Sequence, residues 1–264
     1  MGQFSMEKIT ATGNGKIKYA VKLSSSSAFR KENGEFFLEG ARLCSDAAKS
    51  GVQIIRAFFL TESLEKYKDY IAVICENCGE IYEISRDVSE KLGDTGNSQG
   101  VFCICKMPGE EKGVIDKNGK YLALENVQDP SNTGAISRSA EAIGLDGLIV
   151  SGGCDIYNPK ALRAAMGSSL RLPIIVADDM AEIIAQAKKK GMKTFASVPD
   201  KSAKDIRTVK KDGGVICCVG NEGNGLSEKT IDACDEKITI PMSGRAESFN
   251  ASAAAAILAW ELKR

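Results

Sequence analysis

Val215-Ile-Cys-Cys-Val-Gly-Asn-Glu-Gly-Asn-Gly-Leu-Ser227 is the stretch that decides how this chain folds. An unbroken apolar run, Val215 to Val219, passes straight into Gly220, Gly223 and Gly225. A short continuous apolar run bounded by turn residues reads as a strand buried on both faces, as in a parallel sheet covered by helices. The glycines allow backbone N–H and C=O groups to approach a ligand closely. Their spacing, G-x-x-G-x-G, is not the dinucleotide fingerprint, and there is no Walker lysine. Glu222 lies inside the loop. Taken alone, the segment reads either as a Gly-rich turn with a solvated carboxylate or as a ligand loop.

Working outward, strands alternate with helices. YLALENV (121–127), GLIVSGG (147–153), PIIVAD (173–178), KTFASV (193–198) and KITIPM (237–242) have strand composition. Helices are expected over 133–143, 158–170 and 181–191, from near Leu226, and from near Asn250 to the C-terminal end. This alternation predicts an α/β fold with a mostly parallel sheet over residues 119–264. Residues 1–108 read as a smaller α/β domain. Its strands lie at FFL (36–38), QIIRAFFLT (53–61), within YIAVICENCGEIYEIS (70–85) and at GVFCICKMP (100–108), with a helix carrying Ala41, Cys44, Ala47 and Ala48, one over 62–72 and one from near Ser85 to near Gly93. The polar stretch GEEKGVIDKN, 109–118, is the expected linker.

Composition excludes several chemistries. The 264 residues include no histidine, so no Ser-His-Asp or Cys-His dyad and no imidazole metal ligand can exist within the chain. Acid–base work near neutral pH falls to carboxylates, Cys, Lys, substrate or water. No apolar stretch approaches the roughly 18 residues of a membrane span. Nine cysteines, an odd number, and no basic-then-apolar leader predict a reduced, cytosolic protein. Cys75-x-x-Cys78 with Cys103-x-Cys105 has an imperfect zinc spacing. Buried thiols acting as small hydrophobes are the expected reading, with no metal. The formal net charge is zero, but residues 1–31 carry Lys8, Lys16, Lys18, Lys22, Arg30 and Lys31 against one acid, Glu7. Such a segment is either a phosphate-contacting surface or a solvated, mobile terminus.

Two further stretches carry functional residue types. In NVQDPSNTGAISR (126–138), Asp129-Pro130 turns the chain and Asn132 is placed to cap a helix. Ala135, Ile136, Ala140 and Ile143 form that helix's apolar stripe, with Ser137 and Arg138 off it. This is either an ordinary strand–turn–helix with a solvated Arg or an anion site at a helix N-terminus. In KITIPMSGRAESFNASAAAA (237–256), a polar loop with Ser243, Arg245, Glu247, Ser248 and Asn250 leads into an Ala-rich helix. Three loops, each following a parallel strand, predict one shared site at the C-terminal edge of the sheet.

These three blocks, in this order and spacing, resemble the motifs of the SpoU/TrmH family of RNA ribose 2′-O-methyltransferases, in the SPOUT superfamily. CDIYNPKALRAAMGSSLRLPI (154–174) is similar to one branch of it, and EFFLEGARL (35–43) resembles the L30e-like RNA-binding domain often fused in front. The resemblance implies an α/β-knot domain with a deep trefoil knot and S-adenosyl-L-methionine as methyl donor, with no metal. It also implies a homodimer and an RNA substrate, with 23S or other rRNA expected. A tRNA target and a catalytically silent RNA-binding protein are the alternatives. It places catalytic roles on Asn132, Arg138, Glu222, Ser248 and Asn250. It places donor contacts on Gly220, Asn221, Gly223, Leu226, Ile240, Met242 and Phe249, the last standing where the family usually has Leu. Candidate RNA contacts of the first domain are Lys16, Lys18, Lys22, Arg30, Lys31 and Arg42.

Overall fold

The computed structural model describes residues 6–94, 96, 98–108 and 115–264. The chain divides into two compact units: Met1–Gly109 with Tyr157–Arg163, and Glu110–Ile156 with Ala164–Arg264. Residues 109–114 of the expected linker lie outside the described residues. Ile115 is buried in the second unit's core, so that core takes in part of the expected linker, ahead of residue 119.

The first unit contains β1 (Glu7–Ile9), α1 (Gly15–Ser25), α2 (Ser27–Asn33), β2 (Glu35–Glu39), α3 (Ala41–Lys49), β3 (Ile54–Leu60), α4 (Ser63–Lys66), α5 (Lys68–Glu76), β4 (Cys78–Ile84), α6 (Arg86–Leu92) and β5 (Val101–Lys106). The sheet order is β1-β4-β3-β5-β2, with β5 antiparallel to both its neighbours and the other pairs parallel. The helix expected over 62–72 is two helices, α4 and α5, that meet at Tyr67. Cys103 and Cys105 are fully buried on β5, and burial pushes both thiols well above their ordinary value. Among the described residues, no group of three or more His, Cys, Asp or Glu is placed to hold a metal ion.

The basic N-terminal segment is not a solvated tail from Gly15 on. Asn14 caps α1 by accepting from the Lys16 N–H at 2.8 Å, and Ile17, Ala20 and Leu23 are fully buried against Phe37, Phe58 and Phe102. Arg30 is a correction to the expected RNA contacts: it is 2% exposed, and its Nη1 donates to the carbonyls of Leu23 at 2.7 Å and Ser24 at 3.2 Å. Those carbonyls belong to the last turn of α1 and have no helical partner, so the guanidinium acts as their cap. Lys16 is half-buried over the Tyr82 ring and pairs with Glu80 at 3.6 Å. Lys22 lies over Phe29, and Arg42 pairs with Asp46 at 3.8 Å. Lys18 and Lys22, four residues apart, share the exposed face of α1, and Lys31 is also exposed.

The second unit contains β6 (Lys120–Glu125), α7 (Pro130–Ile143), β7 (Gly147–Ser151), β8 (Ile174–Val176), α9 (Met180–Lys189), β9 (Lys193–Ser197), β10 (Lys204–Asp205), β11 (Val215–Val219), α10 (Glu228–Ala233), β12 (Glu236–Thr239) and α11 (Ala251–Lys263), while α8 (Pro159–Ala165), between β7 and β8 in sequence, is grouped with the first unit as far as Arg163. All neighbouring pairs are parallel in the order β10-β12-β9-β11-β6-β7-β8. Alternate residues serve opposite faces. Leu122, Leu124, Val215, Cys217 and Val219 pack with α7 and α11, while Tyr121, Ala123, Ile216 and Cys218 pack with α9. The helix expected over 158–170 stops at Ala165, because Met166 and Gly167 take left-handed backbone at φ 51° and 85°.

The Arg30 cap gives a stability prediction. Arg30→Ala leaves carbonyls buried without their charged donor and should cost about 2–3 kcal/mol, read as the opening free energy of the α1 amides by hydrogen exchange. Lys31→Ala, on the exposed neighbour, should stay within about 0.5 kcal/mol. Equal effects would contradict the capping role.

Candidate active site

Helix α7 begins earlier than its sequence suggests. Asp129, not Asn132, is the cap: its Oδ1 accepts from the Ser131 N–H at 2.8 Å, and Pro130 takes the first helical position. Asn132 is thereby freed from capping and stands inside the first turn, 7% exposed. Ser137 is also corrected: it belongs to the buried face, its hydroxyl donating to the Thr133 carbonyl at 2.9 Å. Arg138 is exposed, and its side chain has no hydrogen bond or ion pair among the described residues.

The glycine loop after β11 folds tightly onto itself. Asn221 and Gly225 exchange backbone hydrogen bonds of 2.9 and 3.0 Å. A Cβ on Gly220 would lie 2.1 Å from the Gly225 carbonyl carbon, so only glycine fits there. Asn221 Oδ1 accepts from the N–H groups of Gly223 and Asn224, both at 2.9 Å, while its Nδ2 donates to the Asn126 carbonyl at 2.8 Å. Leu226 closes the loop with its side chain in the α9-side core.

Glu222 ties this loop to α7. Its Oε1 accepts from Asp129 N–H at 3.1 Å and Asn132 Nδ2 at 2.9 Å, and its Oε2 accepts from Gln128 N–H at 3.1 Å. Partial burial alone pushes the carboxyl up. The Asn132 bond and the backbone N–H donors outweigh burial, so the group sits below the usual carboxylate range.

The third loop joins through Asn250. Its Oδ1 caps α11, accepting from Ser252 N–H at 2.9 Å and Ala253 N–H at 3.3 Å, and its Nδ2 donates to Asn132 Oδ1 at 3.0 Å. Glu222, Asn132 and Asn250 thus form one hydrogen-bonded chain across three segments that lie about 120 residues apart at their extremes. Ile240 is half-buried against the α7/α11-side core, and Met242 is half-buried beside it in sequence. Ser248 and Phe249 are exposed, and among the described residues no hydrogen bond or ion pair holds 241–249. Seven of the predicted residues (Asn132, Asn250, Glu222, Gly220, Asn221, Gly223 and Leu226) are therefore brought into one connected cluster or its loop, while Arg138 and Ser248 face solvent.

Two contributors were not given their roles from sequence, although Asp129 was placed in the turn. Asp129 had a readable signal, an Asp directly before a Pro at a helix start. Asn126 did not: it takes left-handed backbone at φ 54°, and its neighbours Gly152 and Gly153 leave the space it fills.

The site is built for binding and orientation. Two helices begin at it, the loop backbone is exposed, and the only carboxylate in the chain of hydrogen bonds is held ionised by its donors. Comparison with known proteins agrees: residues 119–260 match the model of the SpoU rRNA Methylase family. The chain belongs to the SpoU rRNA Methylase family. Residues 14–103 match the MRM3-like substrate binding domain, in the place where an RNA-binding domain was expected. The SpoU chain is 30% identical over 260 residues to the 23S rRNA (guanosine(2553)-2′-O)-methyltransferase RlmP of Bacillus subtilis (strain 168), covering 98% of this chain and 100% of that one. An AdoMet-bound rRNA methyltransferase from Sinorhizobium meliloti superposes with a TM-score of 0.85 at 26% identity, over 98% of this chain and 97% of that one. A crystal structure of an RNA 2′-O ribose methyltransferase gives a TM-score of 0.81 at 28% identity, over 97% of each chain. The α/β fold with its mostly parallel sheet is the SpoU methyltransferase fold.

The lowered carboxyl of Glu222 has a signed consequence. Its folded-state value lies below the unfolded one, so its bonds stabilise the folded loop above the unfolded value and that contribution is lost as pH falls through the folded value. Asn132→Ala removes one donor and should move the Glu222 titration upward, followed by carboxyl ¹³C shifts. A titration that the substitution leaves in place would contradict the network.

Proposed function

We propose that the protein transfers the methyl group of S-adenosylmethionine to a ribose 2′-hydroxyl of ribosomal RNA. The observation that carries this reading is the Glu222–Asn132–Asn250 chain, which gathers the three family motifs at one sheet edge in a SpoU chain. The residues present fit the donor. Gly223 and Gly225 leave their backbone uncovered, residues 222–225 of the loop are exposed, and Leu226, Ile240 and Met242 supply apolar walls. Phe249, 42% exposed, gives the pocket a bulkier rim than Leu would. When bound, S-adenosylmethionine supplies an electrophilic methyl group on a sulfonium.

The chain's own residues then hold and orient. Asn132 and Asn250 position the ribose, and Glu222 and Ser248 orient the loops around it. Arg138 grips the RNA phosphate and stabilises the developing alkoxide. It is not the proton acceptor, because a guanidinium stays charged; the hydroxyl proton passes to the RNA phosphate that Arg138 grips or to water. Six residues separate Arg138 from Asn132 on α7, which places it about 120° around the helix and about 9 Å along it. An Arg facing outward in this way suits a homodimer, in which it completes the partner's site.

Threading of the C-terminal segment into a trefoil knot belongs to the same proposal. Helix α11 packs on α7 and β6, although β9 and β11 separate β12 from β6, so the chain must cross back over the sheet edge after Thr239. In the first unit, exposed Lys18, Lys22, Lys31 and Arg42 would meet RNA phosphates, which position a substrate without specifying its sequence. The same proposal places this work on RNA in the cytoplasm.

The test is transfer of labelled methyl from S-adenosylmethionine to unmodified rRNA and, separately, tRNA. Label should appear in rRNA ribose. Arg138→Ala should lower the rate by at least about 100-fold, and Arg138→Lys should remain impaired because an ammonium lacks the planar fork. Label only in tRNA would overturn the substrate, and a near wild-type Arg138→Lys rate would overturn the role given to Arg138.

A further inference from the structure

The glycine loop is braced at its entrance by the Asn126 carbonyl and in its middle by Glu222, but its exit rests on a group with no role in the reading above. Glu125, the last residue of β6, is only 8% exposed. Its Oε2 accepts from the Ser227 N–H at 2.8 Å, and its Oε1 accepts from the hydroxyls of Ser227 at 2.8 Å and Thr230 at 2.6 Å. Ser227 is where the loop ends and α10 begins, its Oγ accepting from the Thr230 N–H at 3.2 Å. Strand alternation explains the placement. Tyr121 and Ala123 on β6 pack in the α9-side core, so Glu125 rises on that same face, at the start of α10.

We infer that Glu125 is a positioning residue for donor binding, its buried carboxylate locking the exit of the Gly220–Ser227 loop. The inference rests on the methyl-donor reading of that loop. The two consecutive residues at the end of β6 then hold both ends of the loop: Asn126 at Asn221, and Glu125 at Ser227. A loop that offers backbone groups to a ligand loses affinity when its ends are free, because ordering it then falls on the binding step. Glu222 cannot substitute, since its oxygens are committed to the β6–α7 turn and Asn132.

The experiment compares full-length wild type with Glu125→Ala, Glu125→Gln and Ser227→Ala. Three quantities are read: hydrogen exchange of the 221–227 amides without donor, Kd for S-adenosylmethionine by calorimetry, and the unfolding midpoint. Glu125→Ala should speed exchange of the loop amides and raise Kd by about tenfold or more. Glu125→Gln should restore most of both, since its amide oxygen can face the Ser227 N–H while its NH₂ faces the hydroxyls. Ser227→Ala keeps the backbone donor and should fall between, which holds the test open if Glu125→Ala does not fold. In methyl-transfer assays KM for the donor should rise in step with Kd, with kcat falling less.

A lowered midpoint with unchanged Kd in the folded protein would reduce Glu125 to a structural group and overturn the inference. So would loop amides that exchange as in wild type. Failure of the wild-type protein itself to bind S-adenosylmethionine would overturn the methyl-donor reading, and it is distinguishable because the exchange measurement reads the lock without donor.

Discussion

The Glu222 carboxylate holds the site together. It lies in a loop whose glycines make it pliable, yet it accepts two backbone N–H groups from the turn before α7 and the side-chain amide of Asn132. Asn132 passes the restraint on to Asn250, the cap of the last helix. Asn132 is the buried member, and both ends of its amide are satisfied, by Glu222 and by Asn250, which fixes its orientation. The glycine loop, the turn before α7 and the start of α11, distant in the chain, are thereby tied together at the edge of one parallel sheet, where an α/β fold normally places its ligand.

Most of the second unit was legible in the sequence, because its strands are continuous apolar runs and its helices are closed by recognisable caps. Fully buried β11 is the clearest case, with every residue from Val215 to Val219 covered. What was misread had local physical causes. Asn132 looked like a helix cap because capping is what Asn does near a helix start. Asp129 before Pro130 was the stronger signal, and only tertiary packing shows that Asn132 is used sideways. The break in the helix at Met166–Gly167 depends on left-handed backbone that a Met does not advertise.

The first unit was harder. Residues 1–31 read as a basic segment, either a phosphate-contacting surface or a solvated terminus, and Arg30 reads as one of its RNA contacts. Ile17, Ala20 and Leu23 do recur at helical spacing, but the stripe is short and interrupted by lysines. Whether an Arg contacts RNA or caps a buried helix end is decided by where the following chain packs, which no window of sequence contains. Of the candidate site, the members of the hydrogen-bonded chain were foreseen through resemblance. The supports beneath them, Asn126 and Glu125, were not, because a strand-end Glu-Asn pair has no distinctive pattern of its own.

The central claim is that loops 220–227 and 240–250 form one methyl-donor site at the C-terminal edge of the second unit's sheet. The most direct measurement is a titration of the isotope-labelled protein with S-adenosylmethionine, followed through backbone amide shifts. The account predicts saturable changes concentrated at 219–227 and 239–251, with residues 7–106 unmoved. No saturable change, or changes centred on the first unit, would contradict it.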